Sequence, residues 1–236
     1  MNLDKETFLE GQVLLIDKPL GWTSFQVVNK IRWLIRKHFG IKKIKVGHAG
    51  TLDPLATGLL IVCCGKMTKS IANFQGQEKE YSGELLLGST TPSYDLETQI
   101  DQTYPVDHIT PNQLETAVKS FTGKIAQRPP IYSALKKEGK RLYDYARKGE
   151  VVDIPSREVT ITDFSIGATN FPKISFNVCC SKGTYIRSLV HDFGQAVQSG
   201  AHLTALKRLR IGDLHLNKAL SIDEFERQFE KLQEDR

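Results

Sequence analysis

The 236-residue sequence lacks long apolar runs, a signal peptide and a cysteine framework. No apolar run approaches membrane-spanning length. The start, Met1-Asn2-Leu3-Asp4-Lys5-Glu6, lacks the basic segment followed by an apolar segment that is typical of a signal peptide. The four cysteines occur as the adjacent pairs Cys63-Cys64 and Cys179-Cys180. Because neighbours in a strand point to opposite faces, neither pair suits a disulfide or a metal clamp. We expect a cytoplasmic protein, with no membrane contact, whose thiols are buried and reduced.

The signatures of common metal, nucleotide and acyl-transfer enzymes are also missing. The six histidines are scattered, and no two-residue Cys or His spacing indicates a metal site. No Gly-x-Ser-x-Gly sequence is present for acyl transfer. Gly58 and Gly65-Lys66 are too far apart for a phosphate loop, and Met67 stands where that loop needs Ser or Thr. We therefore expect neither a metal nor a cofactor.

What is present is the pattern of a mixed globular fold. Hydrophobic residues make up 40% of the chain and charged residues 25%, which is ordinary for a globular protein. Helical stripes and strand-like segments follow one another without regular alternation, which favours an α+β fold over a doubly wound sheet. Helices are predicted after Thr23, Pro111, Tyr185 and Ser221, and strands at Gln12–Ile16, Lys79–Leu87, Glu158–Ile166, Lys173–Cys180 and Leu206–Ile211.

Positive charge is concentrated between Lys124 and Glu150, where eight basic residues accompany three acidic ones. The surrounding segment has no clean period and is rich in Pro and Gly, so we interpret residues from about 124 to 152 as an insertion. Its side chains include phosphate-binding and stacking candidates, namely Lys136, Lys137, Lys140, Arg141, Tyr132, Tyr143 and Tyr145. The alternative is an ordinary solvated surface.

The most unusual segment is Gly47-His48-Ala49-Gly50-Thr51-Leu52-Asp53-Pro54-Leu55-Ala56-Thr57-Gly58. Its glycines permit a tight loop that would present His48 and Asp53 on irregular structure. Asp53-Pro54 is equally typical of a helix start, with Asp as the cap and Pro at the first helical position. The residues alone do not separate these two interpretations.

A second candidate is Gly183-Thr184-Tyr185-Ile186-Arg187, at the start of a helical stripe. Tyr185 and Arg187 fall outside that stripe, so they are either functional or simple surface residues at a helix start. An arginine near a carboxylate would keep it ionised and orient it. The sequence alone does not show that Arg187 meets Asp53.

Several motifs together resemble the TruB family of tRNA pseudouridine synthases. The segment 47–58 is the most specific of them. The others are Asp17-Lys18-Pro19-Leu20-Gly21-Trp22-Thr23-Ser24, Lys79-Glu80-Tyr81, Gly183-Thr184-Tyr185-Ile186-Arg187 and Ala201-His202 through Leu206-Lys207-Arg208-Leu209. They occur in the family's order over roughly residues 11 to 211.

The resemblance implies a pseudouridine-synthase fold with a mainly antiparallel mixed sheet, flanking helices and a central cleft. It implies that a T-loop uridine at position 55 of tRNA is flipped out and isomerised. On matching positions, Asp53 is the catalytic aspartate and Arg187 the arginine that pairs with it. Substrate contacts fall on His48, Tyr81, Tyr185 and Leu206, with Tyr81 also a candidate base. The insertion and Lys18 are expected to bind RNA.

The resemblance is incomplete in two places. Thr91-Pro92-Ser93-Tyr94-Asp95 has Pro92 and Ser93 where Asp and Thr are usual in the family, although Asp95 is retained. The chain also ends after one predicted helix, where many members continue into an RNA-binding PUA domain. We therefore expect a single catalytic domain over residues 1–236, acting as a monomer on the T-arm of tRNA.

The residues leave the chemistry of Asp53 open. A carboxylate can attack C1′ or C6, or assist the departure of uracil and stabilise positive charge on the sugar. Two other functions compete with the synthase. A non-catalytic RNA-binding protein would depend on the basic insertion and not on Asp53, and a base-excising hydrolase would release free uracil.

Overall fold

The computed structural model describes residues 4–234, without the side chains at 168, 169 and 232–234. Met1–Leu3 and the Leu232 side chain, which would extend the last helical stripe, lie outside the described part. The helices are α1 (Lys5–Glu10), α2 (Ser24–Phe39), α3 (Ile71–Gly76), α4 (Pro111–Ser120), α5 (Leu142–Arg147), α6 (Ile186–Ala196) and α7 (Ile222–Glu234). The main strands are β1 (Val13–Lys18), β2 (Val46–His48), β3 (Ala56–Cys64), β4 (Lys79–Leu87), β5 (Ser89–Thr90), β6 (Gln102–Thr103), β7 (Gly123–Gln127), β8 (Lys136–Lys137), β9 (Lys140–Arg141), β10 (Arg157–Asn170), β11 (Lys173–Cys180), β12 (Ala201–Ile211), β13 (Leu214–His215) and β14 (Leu220–Ser221).

Three helices begin where the sequence provides reciprocal caps. The Thr23 side chain accepts a hydrogen bond from the Gln26 amide, and the Gln26 side chain accepts one from the Thr23 amide. Gly40 ends this helix in the left-handed conformation, with φ of 62°. The same cap begins α4 at Thr110 and α7 at Ser221. The predicted helix starts are therefore confirmed, because each cap satisfies backbone amides that the helix leaves without partners.

The chain divides into two compact units. The first comprises the chain up to Tyr81 and again from Leu206 onward, and the second comprises Ser82–Ala205. Strands β4 and β12 contribute residues to both units. The strand order is β14-β1-β3-β12 in the first and β12-β4-β11-β10-β7 in the second. This mixed sheet, with mainly antiparallel pairs and flanking helices, confirms the predicted α+β fold.

The first unit is built around β3, which is buried almost throughout. Leu60, Val62 and Cys64 contribute to a core that also contains the apolar faces of α2 and α7. Leu59, Ile61 and Cys63 lie in a second cluster. Apolar side chains on both faces of β3 explain its continuous hydrophobic run, which a half-exposed strand would not need.

The adjacent cysteines behave as small apolar residues. Cys63, Cys64 and Cys180 are buried, Cys179 is half-buried, and all four are free thiols, which confirms that they form no disulfide. Burial raises the pKa of Cys63 to about 11 and that of Cys64 to about 12. These thiols are therefore protonated and unreactive at neutral pH.

The second unit packs α4 and α6 against β10 and β11. The Phe164 ring contacts Phe193 at a centroid distance of 5.8 Å and Phe176 at 6.4 Å, and Phe121 of α4 contacts Phe193 at 6.4 Å. Strand β7 pairs antiparallel with β10, so residues 124–127 belong to the sheet. The predicted start of the insertion at about 124 is thus too early. Among the described residues, no helix is both long and apolar enough to cross a bilayer.

Candidate active site

Asp53 lies in a turn that leads directly into β3. Its carbonyl accepts a hydrogen bond from the Ala56 amide at 3.1 Å, and the Pro54 carbonyl accepts one from Gly21 at 2.9 Å. The described backbone around Asp53 is not helical. The interpretation of Asp53-Pro54 as a helix cap is therefore wrong, and its side chain is half-buried on irregular structure, as the loop interpretation predicts.

The residue before Asp53 is fixed to the first residue of α2. Ser24 Oγ donates to the Leu52 carbonyl at 3.1 Å and accepts from the Leu52 amide at 2.9 Å. Both residues are buried. One hydroxyl thus satisfies both backbone groups of Leu52, and the turn is tied to a long helix.

A buried arginine holds the carbonyl groups of the same loop. Arg208 is 1% exposed and donates to Leu59 O at 2.8 Å, Gly50 O at 3.1 Å and Thr51 O at 3.4 Å. The rigid fork of a guanidinium suits several carbonyls at once. Carbonyl groups solvate its charge without neutralising it, so Arg208 also makes the electrostatic potential at the loop more positive.

Gly58 permits the close approach of β3 to β12. The parallel pairing places Arg208 opposite Gly58, which has φ of 98°. A Cβ atom at position 58 would lie 2.3 Å from the carbonyl oxygen of Arg208. The last glycine of the segment 47–58 is therefore required by backbone contact and backbone conformation together.

Lys18 does not offer a surface for RNA. Its side chain is fully buried, and its ammonium donates to the carbonyls of Trp22 at 2.6 Å, Pro19 at 3.0 Å and Pro54 at 3.4 Å. Burial lowers the pKa of Lys18 to about 8, although the negative charge of Asp53 opposes this shift. An ammonium whose three donors are used inside the protein does not reach a phosphate, so we correct its role to support of the Asp53 turn.

His48 ends β2 and is half-buried. It pairs with Val62 of β3, which places it beside the loop that carries Asp53. Burial lowers the pKa of His48, and the positive charge of Arg208 lowers it further. The imidazole is therefore neutral at neutral pH, which suits contact with a nucleobase better than contact with a phosphate.

Leu206 and Tyr81 belong to the same unit as Asp53. Each is 8% exposed. Leu206 pairs with Ala56, three residues after Asp53, and its carbonyl accepts a hydrogen bond from the Thr57 hydroxyl at 3.4 Å. Pairing with β3 thus brings Leu206 close to the Asp53 turn. His48 pairs farther along β3 and lies near Arg208, whose charge acts on it. Tyr81 stands on β4 where that strand leaves the first unit.

Arg187 is buried in the second unit. It is 3% exposed, and its guanidinium donates to Tyr132 O at 2.8 Å and Ser93 O at 3.1 Å. Its Nε lies 3.6 Å from a carboxylate oxygen of Asp95. The interpretation of Arg187 as a surface residue is therefore wrong. Ser93, which departs from the family pattern, contributes a carbonyl that any residue could supply.

Tyr185 is fixed by a buried amide side chain. The Tyr185 amide donates to Gln127 Oε1 at 2.8 Å, and Gln127 Nε2 donates to the Tyr185 carbonyl at 3.0 Å. Gln127 is fully buried at the end of β7. The guanidinium of Arg157 lies 5.0 Å from the centre of the Tyr185 ring. Together these contacts fix the backbone of Tyr185 where α6 begins.

The four basic residues expected to bind RNA lie on one hairpin, formed by β8 and β9. Lys136 pairs with Arg141, and Lys137 with Lys140. Like charges opposite each other across a ladder are unfavourable, so a phosphate bound between them would relieve a repulsion already present in the protein. Lys137 also donates to the Asp153 carbonyl at 2.7 Å, which anchors the hairpin.

Tyrosines brace this hairpin. The Tyr145 hydroxyl donates to the Lys137 carbonyl at 3.3 Å, and the Lys140 ammonium lies 6.0 Å from the Tyr145 ring centre. Tyr132 and Tyr143 contact edge to face at 5.8 Å. The tyrosines that we predict as stacking faces for RNA therefore also stack on protein groups.

The sequence prediction missed three supporting residues, namely Ser24, Gln127 and Arg208. Ser24 looks like a helix-start residue, Gln127 lies in a segment assigned to the insertion, and Arg208 lies in a basic strand. No local pattern separates them from surface residues. The one usable signal is that Ser24 and Arg208 fall inside motifs that resemble the family.

Two family models match the chain. The model described as TruB family pseudouridylate synthase, N-terminal domain, matches residues 36–186, and the model described as tRNA pseudouridylate synthase B C-terminal domain matches residues 187–236. The first match covers more than half of the chain. Our assignment of residues 1–236 to a single catalytic domain without a PUA domain stays a prediction.

Curated relatives are similar over nearly the whole chain. A tRNA pseudouridine synthase B of Flavobacterium johnsoniae is 58% identical over 222 residues, which cover 94% of this chain and 97% of the relative. A protein of the same name from Phocaeicola vulgatus is 56% identical over 218 residues, covering 92% and 93%.

Solved structures are similar in fold. A chain in the crystal structure of a Cbf5-Nop10-Gar1 complex superposes with a TM-score of 0.73 at 27% identity, covering 98% of this chain and 58% of that chain. A chain in the structure of an H/ACA RNP bound to a substrate RNA containing 2′-deoxyuridine has a TM-score of 0.69 at 25% identity, covering 97% and 56%.

Proposed function

Because the chain belongs to the TruB family of pseudouridylate synthases, we propose that it converts the T-loop uridine at position 55 of tRNA to pseudouridine. The names of the curated relatives support tRNA as the substrate. The observation that carries the proposal is the position of Asp53. Its carboxylate stands on a non-helical turn that Ser24, Lys18 and Arg208 hold in place.

The proposed reaction is an isomerisation. The N1–C1′ bond of uridine breaks, the uracil ring turns, a C5–C1′ bond forms, C5 loses a proton and N1 gains one. Atoms and electrons balance, so the reaction requires no redox cofactor or energy source. We further propose that the protein acts as a monomer in the cytoplasm.

Asp53 is the proposed nucleophile. Its carboxylate attacks C1′ as the electrons of the N1–C1′ bond stay on uracil, and it leaves C1′ when C5 forms the new bond. Arg187 pairs with Asp53 in this proposal and orients it. The positive charges of Lys18 and Arg208 stabilise the negative charge of the carboxylate before attack. Tyr81 is the proposed residue for proton transfer at C5.

The target nucleotide must leave its loop before it reaches Asp53. Unstacking costs a few kcal/mol, and stacking on Tyr81 would return about 1–3 kcal/mol. The neutral imidazole of His48 would brace the position that the base leaves, while Leu206 and Tyr185 would line the pocket. The β8–β9 hairpin would bind phosphates of the T-arm.

The proposal predicts that Asp53→Asn abolishes isomerisation of unmodified tRNA while Kd for the tRNA changes by no more than a few fold, because the substitution removes the nucleophile and keeps the shape. Pseudouridine is mapped in the product RNA, and Kd is measured separately. Asp213→Asn, at an exposed position of the same unit, is the matched control and should keep full activity.

Retained turnover in Asp53→Asn would refute the role of Asp53. Modification at another uridine would refute the assignment to position 55. Release of free uracil, detected by mass, would instead identify a hydrolase.

A further inference from the structure

A second concentration of positive charge lies on α2 and the segment after it. Between Ser24 and Val46 there are seven basic residues and no acidic residue. They are Lys30, Arg32, Arg36, Lys37, Lys42, Lys43 and Lys45. This excess is larger than that of the insertion, whose eight basic residues are offset by three acidic ones. The chemistry proposed at Asp53 uses none of these seven residues.

An exposed tryptophan stands among these cations. Trp33 is 48% exposed, and the ammonium groups of Lys37 and Lys30 lie 4.7 Å and 5.0 Å from its ring centre. Lys30 also pairs with Glu226 at 2.7 Å, and within the described part of the chain it is the one member of the group with a carboxylate partner. The others keep their charge available to an anionic ligand from outside.

The same helix face forms a groove with ordered arginines. The groove has a volume of about 470 Å³ and is lined by Asn29, Arg32, Trp33, Arg36, Lys37 and Ile41. Arg32 donates to the Val46 carbonyl at 2.9 Å and to the Asn29 side chain at 2.6 Å. Arg36 Nε lies 3.4 Å from the Ile41 carbonyl, which it binds. Guanidinium groups held in place lose little conformational entropy when they bind a phosphate.

The groove is separated from Asp53 along the axis of α2. Ser24, at the first turn, is bonded to Leu52 next to Asp53, and a helix rises 1.5 Å per residue. Trp33 and Lys37 therefore lie about 14 and 20 Å along the axis from that point. An RNA that reaches the groove must extend well beyond the nucleotide at Asp53.

We propose that this groove is a second RNA-binding site, which binds the sugar–phosphate backbone of tRNA outside the T-loop and offers Trp33 as a stacking face. The identity of the RNA rests on the proposed function. Ordered cations around an exposed aromatic ring match the pattern by which proteins bind RNA backbone and stack bases. An acidic protein would need the cations but not the ring between them.

The test compares two RNAs and two matched double variants. Arg36→Gln/Lys37→Gln removes two charges from the groove. Lys5→Gln/Lys69→Gln removes two exposed charges elsewhere in the same unit. For full-length tRNA, the groove variant should raise Kd about ten-fold and flatten the plot of log affinity against log salt by about 1.5 units, with kcat unchanged. For an isolated T-arm hairpin, Kd should stay within about two-fold.

The stacking role has its own variants. Trp33→Ala should weaken tRNA binding about five-fold or more, and Trp33→Phe should restore most of that loss, because a phenyl ring still stacks. Circular dichroism and Tm should match the parent protein for all these exposed substitutions.

An unchanged Kd and salt slope for tRNA would overturn the proposal. An equal loss of affinity for the isolated T-arm RNA and for full-length tRNA would also overturn it, since the groove would then bind the T-arm itself. Loss of binding to an acidic protein with tRNA affinity intact would assign the groove to a protein partner. The Kd for tRNA does not depend on turnover. If the parent protein formed no pseudouridine, the proposed function would be rejected, but the Kd values would still test the groove.

Discussion

Two sets of basic residues in this protein use positive charge in opposite ways. Lys18 and Arg208 in the first unit are fully buried or nearly so, and donate hydrogen bonds to backbone carbonyls. Lys136 and Arg141 in the hairpin are exposed and face each other across a short ladder. The first set fixes the shape of a loop, whereas the second set repels itself and attracts anions.

The difference teaches that charge counts do not reveal function until burial is known. Removal of a buried cation leaves carbonyl groups without partners, which costs about 1–3 kcal/mol for each. Removal of an exposed cation from the hairpin relieves repulsion and costs little stability. Stability and RNA affinity should therefore respond separately in the two regions.

The largest effect is expected for Arg208→Met. Three carbonyls lose their donors, so the free energy of unfolding should fall by about 3 kcal/mol or more. The displaced loop should lower kcat by about 100-fold, because small displacements of a reacting group are costly. Urea unfolding and single-turnover kinetics measure the two effects.

Arg208→Lys is the control, since it keeps the charge but not the fork, and its kcat should lie between those of the parent and Arg208→Met. An unstable Arg208→Met protein with normal kcat would limit Arg208 to a structural role.

A smaller effect, on binding alone, is expected for Lys136→Gln/Lys140→Gln. Kd for tRNA should rise about ten-fold at low salt, and the salt slope should flatten by about 1.5 units. The Tm should stay the same or rise slightly, since like charges are removed. Titration of tRNA at several salt concentrations measures the slope, and a fall in Tm comparable to that of Arg208→Met would erase the distinction between the two regions.

The smallest effect concerns pH. Lys18 has a pKa of about 8 in the folded protein, lowered from 10.5 mainly by burial. The unfolded chain therefore binds more protons between these values, so the contribution of Lys18 to stability rises as pH increases through this window. The charge beside Asp53 is lost over the same range, so kcat/KM should fall several-fold above pH 8.

Profiles of kcat/KM and of the free energy of unfolding from pH 7 to about 9.5 check that the first falls while the contribution of Lys18 to the second rises. The upper limit is set by the ordinary pKa of tyrosine near 10. In Lys18→Met the fall in kcat/KM above pH 8 should disappear. A fall that persists there belongs to another group.

Elements fixed by local rules were predictable. The capping pairs Thr23 with Gln26 and Ser221 with Glu224 mark helix starts because each satisfies its own backbone amides. Strand β4 begins and ends at the predicted residues, Lys79 and Leu87. In these cases the deciding atoms lie within a few positions of one another in the chain.

Elements fixed by distant residues were not predictable. Asp53-Pro54 has the local pattern of a helix start, but pairing with β1 and β12 makes the chain enter strand β3 at Ala56, so a turn forms at Asp53 instead. The buried Arg187 donates hydrogen bonds to the carbonyls of Ser93 and Tyr132, which are 94 and 55 positions away in the chain. Such contacts join residues far apart in the chain, so no local sequence pattern predicts them.

The single hydroxyl of Ser24 has a consequence for how substrate arrives. Since it holds both the amide and the carbonyl of Leu52, neither peptide plane can rotate without breaking a bond to the long helix. The backbone that leads into Asp53 is therefore held in place by the helix. If RNA binds at Asp53 as proposed, we expect the RNA rather than this turn to change conformation on binding.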